Sequence, residues 1–133
     1  MKVDKNILII DDHDSIRFIL GNILGKSYNV TTKEDGLLGL KYLSAGNIPD
    51  LILLDMSMPR LNGLEFLSVL RSSGFFREIP VLIVSGKDNE KYVEQCTKLG
   101  ASGYITKPFN PITLKEQIEN IFQTSPRHKT TAH

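Results

Sequence analysis

Short, continuous apolar runs alternate along the chain with segments in which apolar residues recur at helical spacing. A continuous run is typical of a strand buried on both faces, whereas recurrence at i, i+3, i+4 and i+7 indicates one buried stripe of a helix. These patterns predict five strands, at 7–10, 28–32, 51–54, 81–84 and 103–106. A helical segment follows each strand, so the pattern predicts five βα units.

Residues that favour helix ends flank the helical segments. The predicted starts are Asp14 or Ser15, Asp35, Asn62 with Gly63, Asp88 or Asn89, and Asn110 followed by Pro111. Gly100 is a good terminator for the fourth helix, because glycine readily adopts the left-handed conformation. The predicted apolar positions include Ile16, Ile19, Leu20, Ile23 and Leu24 in the first helix, Leu37, Leu38, Leu40 and Leu43 in the second, and Ile112, Leu114, Ile118, Ile121 and Phe122 in the last.

Five βα units predict an α/β fold, with a doubly wound parallel sheet, helices on both faces and right-handed crossovers. The 133 residues fit one domain of ordinary size, which we assign to 1–123. Residues 124–133 are polar and without periodicity, and we expect them to form a disordered tail. The functional site of such a fold is expected outside the carboxyl ends of the strands.

Composition excludes several classes of partner. The net charge is only +1, with 23% charged residues, so neither nucleic acid nor an anionic membrane is an expected partner. The single cysteine, Cys96, cannot form an internal disulfide, and we expect it to fill space on a helix face. The polar first residues and the short apolar run after them predict no signal or membrane segment, so we expect a cytoplasmic location.

Four strand ends supply complementary chemistry. Asp11 and Asp12 follow strand one, Asp55 follows strand three, Ser85 follows strand four and Lys107 follows strand five. Three converging carboxylates repel one another unless a cation such as Mg²⁺ relieves them. A hydroxyl and an ammonium complete the requirements of a phosphoryl-binding site, in which a carboxylate can attack phosphorus to form an acyl phosphate.

Each of these residues also has an ordinary structural interpretation. An Asp-Asp pair or a serine after a strand is often only a helix cap, an aspartate there is often a turn residue, and a Lys-Pro pair alone is weak evidence. The functional interpretation depends on four strand ends that each supply a suitable chemical group.

These residues lie in segments that resemble the receiver domains of response regulators, over about 6–122. The matching segments are ILIIDDH, PDLILLDMSMPRLNGLEFL, IPVLIVSG and GASGYITKPF. The resemblance implies the strand order 2-1-3-4-5 and a phosphorylated aspartate, Asp55. It also implies that Asp55, Asp12 and the Ser57 carbonyl bind Mg²⁺ directly and that Asp11 does so largely through water.

The resemblance implies further roles. Ser85 would donate its hydroxyl to the phosphoryl group, Lys107 would pair with that group before a cis Lys107–Pro108 bond, and Tyr104 would be the switch aromatic. Pro59 and Gly63 match the loop after the third strand. Ser57 and Lys87 would flank the path of the hydrolytic water, and Lys87 is expected to slow phosphate loss modestly.

The implied function is signalling by a two-component phosphorelay, not catalysis on a separate substrate. The phosphoryl donor would be a sensor histidine kinase or a phosphotransfer protein, and the downstream protein target or effector domain stays open. An aspartyl phosphatase usually has a second acidic residue where Ser57 stands. A flavin carrier needs a phosphate loop where DDHDS stands. An unphosphorylated, receiver-like binding module remains the alternative.

Overall fold

The computed structural model describes residues 2–58, 60–86 and 90–124. Over these residues, strands and helices alternate strictly. The strands are β1 Asn6–Ile10, β2 Asn29–Lys33, β3 Leu51–Leu54, β4 Val81–Ser85 and β5 Gly103–Thr106. The helices are α1 Asp14–Gly25, α2 Gly36–Ser44, α3 Gly63–Ser72, α4 Glu90–Lys98 and α5 Pro111–Thr124. Every predicted element is therefore present, and none of the helices in these ranges has the length and apolarity needed to cross a bilayer.

The strands form one parallel sheet in the order β2-β1-β3-β4-β5. This arrangement confirms the predicted α/β class and strand order. The chain direction across the sheet reverses between β1 and β3, since β2 lies to one side of β1 and all later strands lie to the other. Such a switch point opens a crevice at the carboxyl ends of the two central strands.

Alternate residues of each central strand face two separate hydrophobic clusters. In β1, Ile7 and Ile9 pack into the cluster that α1 and α5 cover, whereas Leu8 and Ile10 pack into the cluster under α2, α3 and α4. All four side chains are at most 1% exposed. Burial on both faces explains why this strand is a continuous apolar run in the sequence.

The predicted helix faces are correct at their centres and wrong at their edges. In α1, Leu20 and Leu24 are buried, but Ile19 is 44% exposed. Leu37 and Leu38 of α2 and Ile112 of α5, which are among the apolar positions of their helices, are also exposed. A helix that rests on a flat sheet buries only a narrow stripe, so residues beside that stripe stay in contact with water.

The predicted helix starts are confirmed at three helices and wrong at α1. Asp35 accepts the Leu38 N–H at 2.9 Å, Asn62 forms a reciprocal capping box with Glu65, and Asn110 accepts the Ile112 N–H at 2.8 Å. The first residue before α1 is His13, in extended conformation, so neither Asp14 nor Ser15 is the cap. The predicted starts Asp88 and Asn89 lie outside the described residues. Of the tail predicted at 124–133, Thr124 is the last residue of α5, and the rest lies outside the described residues.

Candidate functional site

The two central strands place Asp11 and Asp55 side by side. β1 and β3 pair with Ile10 opposite Leu54, so the next residue of each strand lies at the same edge of the sheet. The Asp55 N–H donates to the Ile10 carbonyl at 2.9 Å. Both aspartates are buried, with 2% and 3% of Asp11 and Asp55 exposed.

Lys107 reaches this pair from the far side of β4. Its main-chain N–H donates to the Ser85 carbonyl at 2.7 Å, and the following peptide bond to Pro108 is cis, as predicted. The ammonium lies 2.8 Å from Asp11 Oδ2 and 3.7 Å from Asp55 Oδ1. Lys107 therefore pairs closely with Asp11 and only loosely with Asp55.

The Asp55 carboxylate is incompletely satisfied. Its Oδ1 accepts a long hydrogen bond, 3.4 Å, from the Ser57 N–H. Its Oδ2 is buried and has no hydrogen-bond partner among the described residues. Burial first, and then the charge of Asp11, raise the pKa of Asp55 to about 6, and Lys107 only partly opposes this shift. A buried oxygen of this kind is costly unless a donor or a cation reaches it.

The side chains around Asp55 fit a divalent cation. Asp11, Asp12, His13 and Asp55 each offer one ligand atom, and these atoms all lie within 4.8 Å of one another. Asp12 lies at the rim, with 32% of its side chain exposed. Carboxylate oxygens are the ligands that Mg²⁺ and Mn²⁺ prefer. The buried, unpartnered Oδ2 of Asp55 is the atom that such a cation would satisfy.

The loop after β3 leaves the site through a tight contact with α3. A Cβ atom on Gly63 would lie 2.6 Å from Met56 Cα and 2.8 Å from the Asp55 carbonyl oxygen. Glycine is therefore required where α3 begins, in agreement with the role predicted for Gly63. Ser57 is exposed in this loop, and Pro59 lies outside the described residues.

Ser85 and Tyr104 lie on the two strands beside the acceptor. Ser85 ends β4 and is fully buried, and Tyr104 of β5 is half-buried in the hydrophobic cluster that also contains Tyr92 of α4. Burial and then the charges of Cys96, Tyr104 and Asp55 raise the pKa of Tyr92 to about 12. Burial is the main cause of this shift, and the charge of Asp55 is the smallest contribution. Sequence reasoning missed Tyr92, because only its helical position is visible in the sequence.

Sequence reasoning also missed two residues that contact the acidic pair. His13 Nδ1 lies 3.0 Å from Asp11 Oδ1 and 3.1 Å from Asp12 Oδ1. Arg17 donates to the Asp11 carbonyl at 2.7 Å and pairs with the Asp14 carboxylate. The segment DDHDSIR contains both residues, and the spacing of one helical turn between them could have indicated that they share this end of α1.

A further ion pair joins the loop after β3 to α2. Arg60 has a left-handed backbone, with φ 67°, and its guanidinium contacts the Asp35 carboxylate. The Leu38 N–H and then Arg60 lower the pKa of Asp35 against the opposing effect of burial. Lys87, which was predicted to flank the path of the hydrolytic water, is outside the described residues.

Comparison with known proteins agrees with this geometry. The family model for the response regulator receiver domain matches residues 7–119. The chain therefore belongs to the response regulator receiver domain family, whose members are signalling modules of two-component systems.

Individual relatives resemble the chain over most of its length. Chemotaxis protein CheY-3 of Vibrio cholerae is 34% identical over 125 residues, which cover 91% of this chain and 95% of that protein. The phosphorylated cyanobacterial phytochrome response regulator RcpA is similar in structure, with a TM-score of 0.78 at 28% identity over 92% of this chain and 94% of that one. The Mn²⁺-bound form of response regulator Rcp1 gives a TM-score of 0.76 at 26% identity over 90% and 93% of the two chains.

Proposed function

We propose that this receiver domain accepts a phosphoryl group on Asp55 from the phosphohistidine of a sensor kinase or a phosphotransfer protein, with Mg²⁺ as the cofactor. The observation that carries the proposal is the buried Asp55 carboxylate, whose Oδ2 lacks a hydrogen-bond partner in the described part of the chain. An aspartate with a purely structural role at this depth would have its acceptors filled. RcpA, which is similar in fold, is known in a phosphorylated form.

The chain's own groups suit an in-line transfer. Asp55 is mostly ionised at neutral pH, because its pKa of about 6 lies below 7. One carboxylate oxygen attacks phosphorus, the phosphorus–nitrogen bond of phosphohistidine breaks, and the electron pair leaves with the imidazole nitrogen, which is then protonated. The product is an acyl phosphate on Asp55. Lys107 is close enough to donate to the phosphoryl oxygens as their charge develops.

Asp12, Asp55 and the Ser57 carbonyl would hold Mg²⁺ directly, and Asp11 largely through water. When bound, the cation neutralises charge on the phosphoryl oxygens. The contacts of Asp11 support this division, because its Oδ2 already pairs with Lys107 and its Oδ1 with His13. Asp12, at the partly exposed rim, has more freedom to turn toward a cation. The Mn²⁺-bound form of Rcp1 is consistent with a cation in a domain of this fold.

The phosphoryl group would be sensed at β4, α4 and β5. We infer that the Ser85 hydroxyl moves to donate to a phosphoryl oxygen and that Tyr104 turns toward the space that Ser85 leaves. Tyr92 would extend this path to α4, because it packs against the same hydrophobic cluster as Tyr104. The surface formed by α4, β5 and α5 would then bind a downstream protein rather than nucleic acid or a membrane.

The test is phosphorylation by a small phosphohistidine analogue. Incubation with phosphoimidazole and Mg²⁺ should add one phosphoryl group per chain, measured by intact-mass spectrometry. Asp55→Ala should abolish the addition, because no other carboxylate would receive the group. Asp4→Ala, which removes an exposed aspartate outside the site, should be labelled like the parent. Undiminished labelling of Asp55→Ala would disprove the assignment, and a parent that stays unlabelled would favour the unphosphorylated binding module.

A further inference from the structure

The imidazole of His13 is directed into the carboxylate cluster. Its Nδ1 lies 3.0 Å from Asp11 Oδ1 and 3.1 Å from Asp12 Oδ1, although 59% of the side chain is exposed. The His13 main-chain N–H also donates to Asp11 Oδ1 at 2.9 Å. The ring nitrogen is thus one of the four ligand atoms that lie within 4.8 Å of one another.

The backbone explains why this side chain is available. His13 precedes the first turn of α1 in extended conformation, a position where serine or aspartate would turn back to cap the helix. The structure records no capping hydrogen bond from the His13 side chain in the described part of the chain. The imidazole is therefore free of the helix and faces the acidic pair.

We propose that His13 is a further ligand of the divalent cation at this site and that it shifts the selectivity of the site from Mg²⁺ toward cations that favour imidazole, such as Ni²⁺ and Co²⁺. The inference rests on the proposed metal site and adds a residue to it. In an octahedral site with bonds of about 2.1 Å, neighbouring ligand atoms lie about 3 Å apart. The 3.1 Å separation of His13 Nδ1 from Asp12 Oδ1, the carboxylate proposed as a direct ligand, matches neighbouring positions on such a sphere.

A second observation indicates that the cluster takes a cation and is not merely acidic. Asp55 is 3% exposed, its carboxylate supplies one of the clustered ligand atoms, and its Oδ2 has no hydrogen-bond partner among the residues described. Lys107 is already engaged 2.8 Å from Asp11, so it leaves that oxygen unsatisfied. A cation ligated by Asp55 would lie among the same ligand atoms as His13.

The expected selectivity follows from ligand chemistry. Carboxylate and carbonyl oxygens suit Mg²⁺, whereas an imidazole nitrogen adds affinity for Co²⁺ and Ni²⁺, which rank above Mn²⁺ at a given site. Mg²⁺ loses its water reluctantly and gains little from an imidazole. His13 is thus a specificity-determining residue, which affects the transition metals strongly and Mg²⁺ weakly.

The experiment compares Ni²⁺ and Mg²⁺ affinities at one fixed pH, by competition with a metal-responsive dye. The other histidines of the chain, His128 and His133, can also bind Ni²⁺, so both are replaced by alanine in every protein tested. In this background, His13→Ala should lower Ni²⁺ affinity at least about tenfold and Mg²⁺ affinity less than about twofold. A spectroscopic arm with Cu²⁺ should detect a bound imidazole nitrogen that the His13→Ala protein lacks.

The alternative is that His13 only donates a hydrogen bond to the carboxylates and competes with every cation. Its removal would then raise the affinities for Ni²⁺ and Mg²⁺ together, or leave their ratio unchanged, and either result overturns the inference. Asp12→Asn separates this failure from failure of the proposed function. If Asp12→Asn weakens both cations while His13→Ala leaves their ratio unchanged, only the role of His13 is wrong. If Asp12→Asn weakens neither, the metal site itself is wrong.

Discussion

The two ends of the parallel sheet each hold a charged side chain, part-buried Arg71 at one end and buried Asp55 at the other, but they satisfy the charge differently. At the amino ends of β4 and β5, Arg71 of α3 directs its guanidinium at main-chain carbonyls. It donates to Gly100 at 2.8 and 3.2 Å, to Arg77 at 3.0 Å and to Ile79 at 2.8 Å. Gly100 permits this approach, because a Cβ there would lie 2.7 Å from Arg71 Nε.

At the carboxyl ends, the buried Asp55 keeps an oxygen without a partner among the described residues, and Asp11 raises its pKa. Fixed carbonyls surround Arg71, so its hydrogen bonds stabilise the fold whether or not a ligand is present. Asp55 gains its missing interactions only from a ligand. The hydrogen-bond partners of a charged side chain, more than its burial, therefore separate a structural group from a functional one.

The largest effect on stability is expected at the amino ends. Arg71→Ala removes four hydrogen bonds, of which the one to the Ile79 carbonyl is part-buried, so the free energy of unfolding should fall by about 3 kcal/mol. Phosphoryl uptake per folded molecule should be unchanged, because Arg71 contacts the opposite end of the sheet. Urea unfolding and phosphoimidazole labelling measure the two quantities.

The neighbouring Arg77 provides the control for Arg71. Arg77 is exposed, so Arg77→Ala should change the free energy of unfolding by less than about 0.5 kcal/mol. Similar losses in the two variants would contradict a structural role specific to Arg71. Loss of uptake in folded Arg71→Ala would show that the two ends are coupled and would break the comparison.

At the carboxyl ends of the strands, we expect a substitution to raise the free energy of unfolding rather than lower it. The pKa of Asp55 rises from 3.8 to about 6 on folding, so its ionised form destabilises the metal-free fold by up to about 3 kcal/mol. Asp55→Asn should therefore stabilise the protein by up to that amount at pH 8 in a chelating buffer. The gain should be full above pH 6 and should vanish as the pH falls toward 4, where the parent carboxyl becomes protonated.

Urea unfolding at pH 8 and pH 4.5 would measure this difference, and added Mg²⁺ should reduce it at pH 8 by stabilising the parent. A loss of stability in Asp55→Asn at pH 8 would mean that Asp55 is satisfied as completely as Arg71. The two ends of the sheet would then not differ in how completely their charged side chains are satisfied.

The sequence predicted the strands and strand ends well, because both depend on local patterns. Residues 51–54 are apolar throughout since β3 is buried on both faces, and the residue after it had to lie at the carboxyl edge. The same logic predicted that Asp11, Asp55 and Lys107 would lie together, as they do. Their roles in phosphoryl transfer remain predictions.

Contacts that depend on three-dimensional packing were not predictable. Arg71 and Gly100 are 29 residues apart, and the acceptor is a main-chain carbonyl that any residue would supply. The direction of the His13 ring depends on an extended backbone before α1, whereas the pattern predicted a cap at Asp14 or Ser15. Exposure of Ile19 beside buried Leu20 depends on how α1 is rotated over the sheet.

The ion pair between Arg60 and Asp35 is intermediate between Arg71 and Asp55. It lies near the carboxyl ends, yet the buried Asp35 is satisfied, by the Leu38 N–H at 2.9 Å and by Arg60. Arg60 is 62% exposed, so the pair should contribute less than about 1 kcal/mol. In a double-mutant cycle of Arg60→Ala and Asp35→Asn, the coupling should lie within that limit, because asparagine keeps the cap and removes only the charge.

The pH dependence of stability and the rate of phosphoryl uptake give two further tests of this ion pair. The pKa of Asp35 is lowered, chiefly by the Leu38 N–H, so its contribution to stability is present above about pH 4 and is lost as the pH falls through its folded value. Arg60→Ala should also slow phosphoryl uptake a few-fold, because the loop that carries Ser57 loses its link to α2. Labelling time courses at saturating Mg²⁺ would measure the rate, with Arg77→Ala as the matched arginine control. An uptake rate equal to that of the parent would mean that the ion pair, like Arg71, stabilises the fold and has no part in phosphoryl transfer.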